Sequence, residues 1–273
     1  MPGDEGAPPA ACANCGTALS GRHCSGCGEP AAGPAVSLWS VFREGIGDLF
    51  SIDGKLFRTI GALMGKPGHL TAEYFAGRRK RYARPFAVFL VSSLIYFIVQ
   101  PHTNFVRRDF DTYVRFGGWY RDRIEARLAS TNEPRAVFRA RFDTLAEVQG
   151  STAMLVLTPL LALLARALYW RRSSFLVKHL VFSVHFFAYF MLFVALVMVP
   201  VVIWLPKRLD NDRTIVPMLL LGTIPYLFLA LRRVHAEGWL RTGVKAVVLC
   251  AAFFFLAGRV YSALVFLATM KAL

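Results

Sequence analysis

Residues 175–205 read F-L-V-K-H-L-V-F-S-V-H-F-F-A-Y-F-M-L-F-V-A-L-V-M-V-P-V-V-I-W-L. The run carries Lys178, His179 and His185 towards one end and no acid anywhere. A helix needs about 20 apolar residues to cross a bilayer, so this stretch is long enough to span it tilted or bent. Pro200, which cannot donate to the helical ladder, is the expected bend point.

Working outward, four more apolar stretches stand at 85–101, 151–170, 215–231 and 244–270. The first is on the short side, and the fourth span in chain order (215–231) carries Pro217 and Pro225. The expected fold is therefore an all-α polytopic membrane protein with about five transmembrane helices. Composition agrees: 55% of the residues are hydrophobic and 14% aromatic, with a mean hydropathy of +0.45. That is too apolar for a soluble domain of this length.

The net charge of +15 comes from 32 Lys and Arg against 17 Asp and Glu. The cations flank apolar runs, as the positive-inside rule describes. Arg78, Arg79, Lys80, Arg81 and Arg84 precede the first span. Arg166, Arg171, Arg172 and Lys178 surround the second junction, and Arg232, Arg233, Arg241 and Lys245 the last. These segments are expected in the cytoplasm, with the N-terminus inside and the C-terminus outside. Localisation is read as a bacterial inner membrane, multi-pass. Residues 1–10 have no apolar run, so no cleavable signal peptide is expected.

Ahead of the spans, residues 12–28 read C-A-N-C-G-T-A-L-S-G-R-H-C-S-G-C-G. Two C-x-x-C hooks separated by eight residues can bring Cys12, Cys15, Cys24 and Cys27 onto one tetrahedral ion. Gly16 and Gly28 follow the second cysteine of each hook, where a ligand turn calls for positive φ. Ala18 and Leu19 are almost the only apolar residues between the hooks, so the metal must supply most of the folding energy, on the order of 10 kcal/mol. A structural zinc ribbon over 12–30 is the expectation, with iron in the same cage as the alternative. Disulfides require an oxidising compartment, which the cytosolic placement denies. Four thiolates close the coordination shell, so the site is structural rather than catalytic. Cys250, within an apolar run, is read as packing.

Residues 1–11 are expected as a disordered tail, and 31–84 as a linker with amphipathic and juxtamembrane helices. An apolar stripe over Ser37–Met64 predicts two short amphipathic helices, with Ser37 and Asp53 as N-caps and Gly65 as a stop. The insertion 102–150 predicts an extracytoplasmic helical subdomain, with polar helices at Arg121–Leu128 and Pro134–Val148. Phe110, Tyr113, Phe116, Trp119 and Tyr120 are read as interface aromatics, and the mixed charges as a salt-bridged face.

The juxtamembrane stretch 67–86 reads P-G-H-L-T-A-E-Y-F-A-G-R-R-K-R-Y-A-R-P-F. Arg78, Arg79, Lys80, Arg81 and Arg84 are expected to meet anionic headgroups, and Tyr82 the aromatic belt. The combination resembles the bacterial membrane family called domain of unknown function 3667. That family pairs a C-x-x-C-G … C-x-x-C-G ribbon with G-[KR]-R-x-R-Y-x-x-P-F. The matching positions here are Asp53, Thr59, Pro67, Gly68, Tyr74, Gly77, Arg79, Arg81, Tyr82, Pro85 and Phe86, with Lys80 and Arg84 as additions. The resemblance covers roughly Cys12–Phe86 and implies no reaction.

Arg259 is the one basic residue deep in an expected span. It follows Lys245 by about 21 Å of helical rise. It marks a candidate intramembrane site; snorkelling, or a span that ends near Gly258, also accounts for it. His179 and His185 are six residues apart and share a helix face poorly, so packing is expected of them. No H-E-x-x-H, P-loop or G-x-S-x-G occurs. The expected function is a non-enzymatic scaffold or regulator whose ribbon meets a cytosolic protein. The alternative is a transporter or lipid-handling protein built around Arg259. A third reading, an enzyme using the carboxylates of the insertion, finds no spacing that singles out a pair. Membrane lipids are expected partners. Nucleic acid is not, because Arg22 and His23 alone make no phosphate footprint.

Overall fold

The computed structural model describes residues 11–31, 54–99, 108–170, 176–204 and 212–273. The expected apolar stripe Ser37–Met64 lies outside them up to residue 53, with both expected N-caps, Ser37 and Asp53. Past the ribbon the described residues form the helices α1 Gly54–Gly65, α2 His69–Phe75, α3 Pro85–Val99, α4 Phe110–Phe116, α5 Gly118–Thr131, α6 Arg135–Leu168, α7 Leu176–Trp204, α8 Asp212–His235 and α9 Trp239–Ala272.

Among the described residues, three helices are long and apolar enough to cross a membrane: Leu176–Trp204, Arg213–His235 and Trp239–Ala272. Pro85–Val99 and Val156–Leu168 are shorter apolar helical stretches. α7 is the hub of the bundle, with α3 and α6 packed against it, while α8 packs on α9. Its residues from Val181 to Val194 are nearly all buried. The ladder of α7 widens into a π-turn at Val194–Met198, directly ahead of Pro200. A wider turn there takes up the bond that proline cannot make. Gly222 of α8 is needed for close approach: a Cβ there would collide with the Phe193 ring.

α6 and α9 each run 34 residues, about 51 Å at 1.5 Å per residue. They lie antiparallel in one register. Lys245 sits over the Tyr169 ring at 3.8 Å, a Cβ on Gly150 would meet the Tyr261 hydroxyl at 2.8 Å, and Arg141 reaches the carbonyl of Leu273. A hydrocarbon core about 30 Å thick covers only part of this length.

The helices of the insertion, α4, α5 and the first half of α6, differ from expectation in two ways. The aromatics after the first span are not simply an interface belt. Phe110 and Tyr113 are buried, and Tyr113, Trp119, Tyr120 and Phe142 pack around Phe266. Arg108 donates to the Ser262 hydroxyl at 2.7 Å, and Tyr113 to the Ser262 carbonyl at 2.8 Å. The last turns of α9, from Tyr261 onward, therefore pack against α4, α5 and α6. The polar helix expected to end at Val148 also continues without a break into the apolar half of α6.

Candidate metal centre and its juxtamembrane hub

Each hook closes the same way. The Cys12 amide donates to Thr17 O and the Gly16 amide to Cys12 O. The Cys24 amide donates to Glu29 O and the Gly28 amide to Cys24 O, all at 2.8 Å. Gly16 and Gly28 have φ of 78° and 68°, the left-handed conformation the spacing required. Antiparallel bridges Ala11 to Ala18 and His23 to Pro30 flank the hooks.

The four sulfurs lie within 4.8 Å of one another. Cys12 Sγ is 3.7 Å from Cys27 Sγ, and Cys15 Sγ is 3.4 Å from Cys24 Sγ. A tetrahedron with metal–sulfur bonds of about 2.3 Å has edges of about 3.8 Å, so these residues fit one ion. The cysteines are free thiols, not disulfides. Cys12 and Cys24 are buried while Cys15 is exposed, so the centre has an inner and an outer side.

The inner side rests on the chain's own juxtamembrane motif. Glu29 Oε1 stands 2.8 Å from Arg79 Nε, with side chains only 6% and 11% exposed. The contact is an ion pair by distance; the Nε–H is not aligned as a hydrogen bond. The Arg79 guanidinium also covers the Tyr74 ring at 5.5 Å. Ala13 lies 3.1 Å from where a Cβ on Gly77 would stand, and Gly77 has φ of 78°. Lys80 Nζ lies 3.7 Å from the equivalent point on Gly28.

The motif is in turn keyed into the helices. Tyr74 packs on Val177 and Val181 of α7. Thr71 Oγ1 and His185 Nδ1 share a buried hydrogen bond of 2.8 Å. Arg233 of α8 donates to the Pro67 carbonyl at 2.8 Å. Gly68 has φ of 73°, and a Cβ there would lie 2.7 Å from Ala230 O. Pro67–Gly68 is thus both a helix break and the point where two backbones touch. Thr59 links α1 to the basic segment: it donates to Lys55 O at 2.6 Å and accepts from the Ala83 amide at 2.9 Å.

These contacts divide the basic residues. Arg79 turns into the ribbon, and Arg78 makes a forked pair with Glu73. That pair holds the Glu73 carboxyl below its ordinary pKa, through hydrogen bonding first. Lys80 and Arg81 are exposed. The Arg81 guanidinium lies over Tyr82 at 5.9 Å, whose hydroxyl meets His69 Nε2 at 3.0 Å. Pro85 opens α3.

Residues 53–97 match the family model described as Protein of unknown function (DUF3667). This is the family that the motif resembles. The DUF3667 segment holds α1, α2, the basic residues and α3, and it begins after the ribbon. The ribbon is joined to it by contact, through Glu29 and Arg79. No curated protein and no solved structure matches the chain.

The other sequence-derived positions are not gathered into this hub. Arg259 is exposed on a wide turn at Leu256–Val260, next to the Tyr261–Ser262 clamp of the insertion. His179 stacks with His235 and Tyr169 at the ribbon-side end of the bundle. Five acids of the insertion are occupied structurally. Asp109 accepts from the Thr112 amide and Asp143 from the Phe110 amide. Asp111, Glu125 and Glu133 pair with Arg139, Arg135 and Arg141.

Sequence reasoning missed Glu29 and Tyr74 as joint partners of Arg79. The available signal was weak: Glu29 is the one acid in 12–31, adjacent to the second hook.

Proposed function

We propose that this is a non-enzymatic integral membrane protein of the bacterial inner membrane. Its zinc-held ribbon is latched to the DUF3667 hub and offers its outer side to a cytosolic protein. The N-terminus is inside and the C-terminus outside. The Glu29–Arg79 pair carries the reading, because it holds the ribbon in one orientation against the hub. Cys15 to Ala18 and Ser20 to His23 are then left facing solvent. The closed thiolate set supplies rigidity and no open coordination position.

Cys12, Cys15, Cys24 and Cys27 would hold the ion, and elemental analysis of the purified chain should give one zinc per chain. Proximity labelling from the N-terminus tests the recruitment role. The labelled set should change when Cys24 and Cys27 are replaced by Ser, and again with Arg79→Met at full metal occupancy. An unchanged set in the cysteine variant overturns the reading.

A further inference from the structure

Where α8 hands over to α9, the surface changes from charged to apolar within a few residues. Trp239, Leu240, Gly243, Val244, Val247 and Val248 line a shallow trough of about 650 Å³. This is within the range of about 300–1,000 Å³ that small ligands occupy. Its side chains are exposed, Leu240 by 83%. Gly243 opens its floor, since a Cβ there would touch only Phe228, at 3.9 Å.

The trough lies at the ribbon-side end of the bundle, because Arg233 at the end of α8 holds Pro67 of the hub. Its rim is cationic. Arg232 stacks on the Trp239 ring at 3.9 Å. Arg241, two residues further on, is exposed. The nearby acid, Glu237, is bound to Lys245 at 2.9 Å. Among the described residues, neither Arg232 nor Arg241 has an acidic partner. An uncompensated cation pair above an apolar trough on a membrane-length helix matches one chemistry: a phosphate headgroup with an acyl chain below it.

We propose that this trough binds one anionic phospholipid from the leaflet on the ribbon side. Arg232 and Arg241 would meet the headgroup, Trp239 would sit at the glycerol level, and the chain would run over Gly243 and Val247. The proposal is independent of what the ribbon recruits.

Native mass spectrometry of the delipidated full chain tests it, titrated with phosphatidylglycerol and, in parallel, phosphatidylcholine. One phosphatidylglycerol should bind saturably and in preference. A cation beside an anionic headgroup contributes about fivefold in affinity. Arg241→Gln alone should therefore cut the preference about fivefold, and Arg232→Gln with Arg241→Gln should abolish it. Gly243→Leu should fill the trough and weaken both lipids together. Arg241 is exposed and outside the packed core, so its variant keeps the test valid if Gly243→Leu folds poorly. An unchanged preference in the Arg241 and double variants overturns the proposal, as does Gly243→Leu binding like the parent.

Discussion

Replacing Arg79 by Met would leave the Glu29 carboxylate under the ribbon without a partner. The two side chains are 11% and 6% exposed, so water does little to compensate. Breaking a buried ion pair from one side costs about 3–5 kcal/mol. The pair lies near the surface of a small ribbon, which favours the lower figure. About 3 kcal/mol lowers the docked-to-undocked ratio by roughly 150-fold. Glu29→Gln should also loosen the ribbon, because it strands the guanidinium on the Tyr74 ring alone. The double variant should lose less than the two singles added, since no unpaired charge remains.

Hydrogen–deuterium exchange over residues 22–31 and 76–84 reads the effect, at full metal occupancy in every variant. Each single variant should speed exchange over 76–84 by up to about two orders of magnitude. Exchange within twofold of the parent, or strictly additive singles, would refute the latch.

Other outcomes follow from particular contacts. Metal removal by a strong chelator should unfold residues 11–31, because the ion supplies on the order of 10 kcal/mol; far-ultraviolet circular dichroism of the helices should hardly change. Gly68→Ala should destabilise the chain through its left-handed backbone, by about 1–2 kcal/mol, and by about 1–3 kcal/mol more through the Ala230 clash. Gly61→Ala, mid-helix with nothing within 4 Å, should instead stabilise by about 0.5–1 kcal/mol; thermal unfolding in detergent checks both. His69 has its pKa held below the ordinary value by burial first, with Arg233, Lys66 and Arg78 adding and Glu73 opposing. Its contribution to stability is then complete above about pH 6.5 and falls as pH drops below it, because the unfolded state binds the proton more readily. His69→Gln should flatten the pH dependence of exchange over 69–82. A reporter enzyme fused after Leu273 should be active only outside the cytoplasm.

Local chemistry was legible where a few adjacent residues decide it. Two glycines after two hooks predict two left-handed turns, and φ at Gly16 and Gly28 agrees. Apolar run lengths likewise announce helices that can cross a membrane. What sequence hid was set by distant partners. Phe266 lies far along the chain from Tyr113 and Tyr120, so the aromatics looked like a membrane belt rather than a core. The change from polar to apolar near Gly150 looked like a helix boundary, but a change of solvent is not a stop signal. Gly150 is tolerated within α6 because Tyr261 occupies the place of its Cβ. Five basic residues in seven gave no means of telling which one would turn towards Glu29.

That division of labour alters what the basic run means. As a topology signal its cations are interchangeable, and the positive-inside rule asks only for their number. In the folded chain they are not. Glu73 takes Arg78 and Glu29 takes Arg79, so these two positive charges are paired within the chain. Arg79 joins the four-Cys ribbon to Tyr74, and Tyr74 rests on α7, the most buried helix of the bundle. A lysine at 79 would preserve the topology signal but offer a compact ammonium where a planar group now spans a carboxylate and a ring. If the run serves orientation alone, Arg79→Lys should be silent in the exchange experiment. If Arg79 is the latch, it should loosen the ribbon while the reporter after Leu273 stays outside.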